Sequence, residues 1–455
     1  MKKTAVVNVV GLSQRLLDER LPFLSQWAKN KSVAAIDTVL PAVTCSSQAT
    51  YLTGKWPTEH GIVGNGWFFK DTQEVSLWKQ SNKLVQAQSV WDNIREEKPE
   101  FTVANMFWWF NMYSTADYSV TPRPQYRANG LKIPDCYAWP SELRDRLQEE
   151  LGTFPLFHFW GPKTTVKSSK WIAEASMKVH DWHNPDLMLV YLPHLDYVLQ
   201  KYGHDDQFLA KDLLEIDKVC ENLITHLEAK GVEVMVLSEY GITNVSRPVH
   251  VNRVLREMDL IAVREENGLE LLDGGQSKAF AVSDHQIAHV YVQDKAVLPQ
   301  VKERLAALPG VELVLDDEGK EKYNIAHERA GDLVLLADKD SWFTYYYWLD
   351  DAKAPDFART VDIHKKPGYD PAEMFFDPEK SVVMLRAALK LLGKKLGFRT
   401  TMDLIGLDAT LIKGSHGRNP ESNLDKAIFI GGGEYEELIS PIAVHDIIKS
   451  NCLKD

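Results

Sequence analysis

The stretch "PAVTCSSQATYLTGKWPTEHGIVGN", residues 41–65, sets a threonine, a cysteine and two serines side by side ahead of a short apolar run. Any of these side chains could attack an electrophile, but each needs help: a thiol reacts as its thiolate, and an alcohol needs a base or a Lewis acid to carry away or hold its proton's charge. The segment "SSQATYLTG" fits a helix that Gly54 ends, so Thr44 or Cys45 stands just ahead of a helix N-terminus, where unpaired N–H groups and the dipole favour a developing anion. A threonine in that place is equally an ordinary N-cap. No histidine or other group that would lower the Cys45 pKa can be assigned from the sequence, and the residues alone leave open whether Thr44 is a nucleophile or a cap.

Candidate ligands for a Lewis-acid cation recur after apolar runs. "LMLVYL" is followed by "PHLDYVLQKYG" with Asp196, and "VEVMVLS" by "EYGIT" with Glu239. "DIHKKPGYDPAEMFF" holds His364, "FAVSDHQIAHVYV" holds Asp284 and His285, and "LIKGSHGRNP" holds His416 with Arg418 nearby. Together with Thr44 these groups could ligate one or two divalent ions, and their oxygen-rich character moves preference from zinc toward manganese or magnesium. Asp284 and His285 read either as ligands or as turn residues before a strand. His416 and Arg418 read as substrate-binding groups or as a surface turn. Arg123, among Trp108, Trp109, Tyr113, Tyr118, Tyr126 and Arg127, is a further substrate-binding candidate in a run that otherwise reads as packing.

The pattern of a Thr soon after a Pro, a helix ending in TG, then P, HGI and GN resembles the nucleophile region of the nucleotide pyrophosphatase/phosphodiesterase branch of the alkaline phosphatase superfamily. The likeness extends over nearly the whole chain, with an atypical metal site. It implies that Thr44 attacks phosphorus beside zinc and that Asn65 hydrogen-bonds a phosphoryl oxygen. It also makes Asp196 the aspartate of a DxxGHxYG motif whose histidine place is taken by Gln200, and makes His364 the counterpart of the late histidine. Glu239 and Tyr240 replace an Asp–His pair, and Val10 stands where the first strand carries an aspartate, with Asn8 the nearest polar residue. The related sulfatases use a CxPSR-type motif, and "CSSQA" lacks its Pro and Arg.

The elements that must hold these residues read as an α/β fold. The runs 4–10, 32–37, 101–107, 187–192 and 232–238 are apolar without alternation, as expected of strands covered on both faces in a mostly parallel sheet. Between the last two, Leu209, Leu213, Ile216, Cys220, Leu223 and Leu227 repeat at helical spacing. Such strand, helix, strand units build doubly wound sheets between helices, with sites beyond the carboxyl ends of the strands. We expect an alkaline-phosphatase-like core over 1–284 and 360–455, an aromatic-rich insertion of loops and short helices at about 107–180, and a small α+β cap over 285–359.

With 455 residues and a formal charge of −12, the chain lacks the basic surface that a nucleic acid or an anionic membrane would require. "MKKTAVVNVVGL" reads as a first strand rather than a leader, no stretch reaches membrane-span length, and four scattered cysteines suit a reducing, cytoplasmic setting. The expectation is a metal-dependent hydrolase of small phosphorylated organic substrates, phosphodiester or nucleotide pyrophosphate, working through a phosphothreonine. The alternatives are a non-hydrolytic binding or regulatory member of the same fold, or altered phosphoryl or phosphonate chemistry.

Overall fold

The computed structural model describes residues 2–128, 131–378, 387–390, 392–393 and 400–454. In chain order the strands of its two larger sheets are β1 (Thr4–Val9), β2 (Ser32–Ile36), β3 (Val103–Met106), β4 (Tyr118–Pro122), β5 (Cys136–Trp139), β6 (Leu187–Leu192), β7 (Glu233–Leu237), β8 (Ala279–Asp284), β9 (Ile287–Val292), β10 (Val311–Leu315), β11 (Leu333–Ala337), β12 (Ala427–Gly431) and β13 (Leu438–Ile439). The helices that matter for the site are α1 (Thr44–Thr53), α2 (Lys167–His183), α3 (His194–Tyr202), α4 (Asp206–Glu228) and α5 (Leu298–Ala306).

Every residue of β1 and of β6 is buried, the condition that produces apolar runs without polar alternation. They sit at the middle of a nine-stranded sheet ordered β13-β2-β12-β7-β1-β6-β3-β4-β5. β7, β1, β6, β3 and β4 run parallel, while β12 and β5 run against them. α4 buries Leu209, Leu213, Ile216, Cys220, Leu223 and Leu227, the stripe expected from the spacing, and its N-cap Asp205 accepts a 3.0 Å hydrogen bond from the Gln207 N–H.

The aromatic-rich stretch is not an irregular insertion. It supplies β4 and β5, which form one edge of the large sheet, and all of α2 up to residue 180. Its prolines bound these elements instead of breaking them, as Pro122 closes β4 and Pro140 precedes a helix at Ser141–Leu151. Strands of four or five residues are too short to display a period.

A second, antiparallel sheet of four strands, ordered β8-β9-β11-β10, carries α5 against it. It begins at Ala279, so it draws on residues on both sides of position 285. His285 and Gln286 form the tight turn between β8 and β9, with Asp284 paired to Ile287 and His285 at φ 60. A left-handed conformation at a non-glycine residue is uncommon and draws attention to that turn.

Candidate active site

Thr44 is the first residue of α1 and Val43 is the N-cap, so the Thr44 hydroxyl does not cap its own helix. Thr44 Oγ1 instead shares a 3.1 Å hydrogen bond with the Tyr240 phenol, and that phenol donates to Asp196 Oδ1 at 3.2 Å. Because the phenol's one proton goes to Asp196, the Thr44 hydroxyl donates to Tyr240. The three side chains come from the carboxyl ends of parallel strands: Tyr240 follows β7, Asp196 stands in the first turn of α3 after β6, and Thr44 lies beyond β2. That is where a doubly wound sheet gathers its functional groups.

His416 completes the group. A short ladder pairing Thr243–Asn244 with Gly414–Ser415 brings its segment alongside α3. The approach requires glycine at 414, since a Cβ there would lie 2.3 Å from the Leu199 carbonyl oxygen. His416 Nδ1 donates to the Ala42 carbonyl at 2.7 Å, which leaves the Nε2 lone pair free. Nε2 is buried without a partner, 3.6 Å from Asp196 Oδ1, and the imidazole stacks on Tyr240 with centroids 3.6 Å apart. On its other side lies His285 at 3.7 Å, itself stacked 3.7 Å from Tyr369. Tyr369 Oη donates to Gln200 Oε1 at 2.7 Å, and Gln200 Nε2 donates to Asp196 Oδ2 at 2.9 Å. Gln200, one turn after Asp196 on α3, thus holds that carboxylate in place.

Glu239 lies on the opposite flank of Thr44. Its Oε1 accepts from Asn8 Nδ2 at 2.6 Å and from Gln48 Nε2, while Oε2 has no well-formed hydrogen bond. Gln48 is one helical turn after Thr44 on the same face, and its Oε1 accepts from the Trp109 N–H at 2.5 Å. The reach of Asn8 and the bridging position of Tyr240 were not foreseeable as such. The signal for Gln48 was its i+4 relation to the nucleophile.

Burial dominates the electrostatics. It pushes Asp196 up to about 7 against the pull of Gln200 and Tyr240, and Glu239 up to about 7 against Gln48, Thr44 and Asn8. Asp284 rises to about 6, opposed by two hydrogen bonds from Asn65, while His416 falls to about 3 and His285 well below its usual range. Carboxylates that prefer a proton beside imidazoles that refuse one make a pocket that gains from a cation, which would reverse the first preference and use the second. Burial, followed by Asp284 and Glu239, drives the Cys45 thiol far up, which disfavours its thiolate.

The remaining candidates are placed as follows. His364 is exposed, and its neighbours are the Leu77 backbone, Lys132, Asp362 and Lys79, with neither Asp196 nor Glu239 among them. The histidine that joins Asp196 is His416, whose "HG" pair lies far along the chain from the "GYD" letters at 368–370 that drew attention to His364. The matching segment instead buries Lys366 between Asp370 and Glu373, at 2.7 Å from each. Asn65 is fully engaged: Oδ1 accepts from the Cys45 N–H at 3.0 Å, and its N–H and Nδ2 donate to the two oxygens of Asp284 at 2.8 and 3.1 Å. Asn65 and Asp284 therefore clasp the start of α1 to the β8–β9 turn, and Asp284 Oδ1 also lies 3.8 Å from His285 Nε2, whose ring lies against that of His416. His285 is both a turn residue and a wall of the site. Arg418 turns outward to Glu312 at 2.7 Å. Arg123 borders a separate open cleft of about 580 Å³ with Tyr126, Arg127 and Tyr137. Trp108 is packing, its indole donating to the Val190 carbonyl at 3.1 Å, whereas Trp109 lies edge-on to Trp78 beside Gln48.

The residues present fit a divalent ion in one half of the site. Asp196 Oδ1 and the orphaned His416 Nε2 stand at the spacing of two donors on one ion. The Glu239 half is different: Oε2 is free, but the groups hydrogen-bonded to its other oxygen are the amides of Asn8 and Gln48, with no imidazole among them.

Residues 4–370 match the family model described as type I phosphodiesterase/nucleotide pyrophosphatase, and the chain belongs to that family. It is 25% identical over 264 residues to ectonucleotide pyrophosphatase/phosphodiesterase 2 of Saccharomyces cerevisiae, covering 53% of this chain and 48% of that protein. It is 25% identical over 233 residues to an uncharacterized pyrophosphatase/phosphodiesterase of Schizosaccharomyces pombe, covering 49% and 41%. The chain thus spans less than half the length of these curated relatives. Among solved structures, phosphonoacetate hydrolase from Sinorhizobium meliloti 1021 in complex with phosphonoformate superposes with a TM-score of 0.60 at 15% identity, covering 99% and 96% of the two chains. Murine ectonucleotide pyrophosphatase/phosphodiesterase 5 superposes at 0.59 and 14%, covering 99% and 95%. An inactive variant of that murine protein in complex with AMP superposes at 0.59 and 13%, also covering 99% and 95%. At these identities the likeness is one of fold, and the fold is the alkaline-phosphatase-like α/β architecture.

Proposed function

We propose that the chain is a metal-dependent hydrolase of phosphodiester or nucleotide pyrophosphate bonds with Thr44 as nucleophile. The observation that carries this reading is the buried line from the Thr44 hydroxyl through Tyr240 to Asp196, ending at the unpartnered His416 Nε2. Family membership supports the reaction class, and the complexes of the structural neighbours with AMP and phosphonoformate support a small phosphorylated or phosphonate ligand. The inactive form of the murine neighbour is a threonine-to-alanine variant, which supports an alcohol nucleophile.

In this reading Asp196 and His416 hold the divalent ion, with Gln200 steering the carboxylate. When bound, that ion supplies positive charge to a phosphoryl oxygen and to the attacking oxygen. Thr44 Oγ attacks phosphorus as the bond to the leaving oxygen breaks, and the Thr44 proton passes to the free Oε2 edge of Glu239. The leaving oxygen takes a proton from water. A water molecule then attacks the phosphothreonine, restoring Thr44 and releasing the phosphate product. Trp109, Trp78 and Tyr369, which meet edge-on near Gln48 and His285, form an aromatic rim suited to the organic part of the substrate.

Four unpaired, buried cysteines fit a cytoplasmic location, and among the described residues no helix is long and apolar enough to cross a membrane. The test of function is turnover of bis-p-nitrophenyl phosphate by protein first stripped with chelator, then given zinc, manganese or magnesium. Turnover that returns with a cation and vanishes in Thr44→Ala supports the proposal. Absence of turnover with every cation would favour a binding or regulatory member of the fold.

A further inference from the structure

At the opposite end of the strands from Thr44, α2 and α4 pack together, and each ends in a turn that carries a histidine. His180 of α2 is 3% exposed, and neither of its ring nitrogens has a hydrogen-bond partner. A buried imidazole normally satisfies at least one nitrogen, so the arrangement asks for a ligand. Its Nδ1 lies 4.0 Å from Oδ1 of the adjacent Asp181. That same oxygen accepts from His226 Nε2 of α4 at 2.9 Å and from Lys230 Nζ at 2.8 Å. One ligating atom from each of His180, Asp181 and His226 lies within 4.8 Å of the others.

We propose that His180, Asp181 and His226 form a second divalent-cation site that pins the ends of α2 and α4 together, independent of the catalytic centre. Two imidazoles and one carboxylate suit a borderline ion such as zinc, cobalt or nickel better than magnesium or calcium. Donors on a tetrahedral zinc stand roughly 3.3 Å apart, so His180, at 4.0 Å from Asp181 Oδ1, needs to approach while the 2.9 Å contact of His226 with that oxygen opens slightly. The two outer ligands have room for this adjustment, since the side chains of Asp181 and His226 are 36% and 27% exposed. A water molecule from the exposed side supplies the fourth donor.

Two ammonium groups bear on the site. Lys3 is engaged by the Asn184 carbonyl at 2.5 Å and by Asp186 at 3.9 Å. Lys230 is the true competitor, bonded to the ligand carboxylate itself, and at 42% exposure its side chain is able to swing into solvent when an ion arrives. The position also has mechanical sense: α2 leads into β6 and α4 into β7, and the far ends of these strands carry Asp196 and Glu239. The length of β6 separates the two sites by roughly 17 Å.

The experiment compares bound ion per chain in the full-length parent and in His226→Gln, Lys230→Met and His180→Ala, by equilibrium dialysis and calorimetric titration of chelator-stripped protein with zinc. The parent should bind one more zinc than His226→Gln, whose affinity at this site falls at least tenfold, and Lys230→Met should bind that ion several-fold more tightly. Cobalt should give a tetrahedral visible spectrum that His226→Gln lacks. Should His180→Ala fail to fold, the two half-exposed substitutions still decide the matter. Equal zinc stoichiometry and affinity in the parent and His226→Gln would overturn the proposal, whatever the catalytic centre binds. Lys230→Met binding no more tightly than the parent would overturn it as well.

Discussion

Asp196→Asn tests whether the site is a carboxylate pocket kept under electrostatic stress until a cation arrives. Burial moves the Asp196 pKa from 3.8 to about 7. A raised acid pKa stabilises the fold below its unfolded value, near 4, and that contribution is lost as pH rises through the folded value near 7. Relative to a side chain that never ionises, the raised pKa costs the fold on the order of 4 kcal/mol at pH 8 and about 1–2 kcal/mol at pH 5. An asparagine keeps an oxygen for Gln200 and a polar contact for Tyr240, yet has no charge to bury. Chelator-stripped Asp196→Asn should therefore be more stable than the parent, and its advantage should grow by about 2–3 kcal/mol between pH 5 and pH 8. The assay is urea unfolding followed by tryptophan fluorescence at both pH values, without and with excess zinc or manganese. The cation should raise the parent at pH 8 by more than it raises the variant, which keeps only the His180–Asp181–His226 site, and so reverse their order. An advantage that is flat with pH, or equal stabilisation of both proteins by the cation, would refute the claim that Asp196 is a buried, ion-seeking carboxylate.

Other expectations concern single side chains. Thr44→Ala should lower turnover of bis-p-nitrophenyl phosphate by at least about 10³-fold, with Thr44→Ser keeping a measurable rate; equal rates in Thr44→Ala and parent would remove Thr44 from the chemistry. His416→Ala should weaken the catalytic cation by about 10–100-fold or more in competition with a fluorescent chelator, while His364→Ala should leave that affinity alone. The Cys45 thiol should resist iodoacetamide in the native protein and react after unfolding, detected by peptide mass, and Cys45→Ala should still turn over substrate.

Much of the frame was readable because a parallel sheet leaves strong marks. β1, β6 and β7 are buried on both faces, which produces apolar runs, and α4 presents the one face that its leucine spacing announces. Once those strands are known, residues just past their ends are natural site candidates, and Thr44, Asp196 and Glu239 do converge. The histidine partner was not readable in the same way. His416 reaches the site only because Gly414–Ser415 pairs with Thr243–Asn244 and the glycine admits a close approach to α3, and such tertiary pairing leaves no local pattern. His364, four residues before a familiar-looking triplet, is turned aside by a loop that invests its buried contacts in Lys366, Asp370 and Glu373. β4 and β5 escaped notice for a simpler reason: each is too short for periodicity, and the prolines around them look like breaks when they are boundaries.

The substitutions around Glu239 bear on how many cations the chemistry needs. A carboxylate that shares an ion with a histidine needs both of its partners to present lone pairs. Here the neighbours present protons: Asn8 Nδ2 and Gln48 Nε2 both point at Glu239 Oε1, and the phenol of Tyr240 replaces an imidazole. Hydrogen bonds of this kind pull the Glu239 pKa down against burial, and the balance leaves it near 7, in the range where a carboxylate accepts a proton from an alcohol and returns it to the solvent. One ion held by Asp196 and His416, facing a proton acceptor formed by Glu239 and its two amides, is thus a consistent division of labour for activating Thr44. In the proposed mechanism Gln200, donating to Asp196 and accepting from Tyr369, orients the carboxylate instead of serving as a ligand itself.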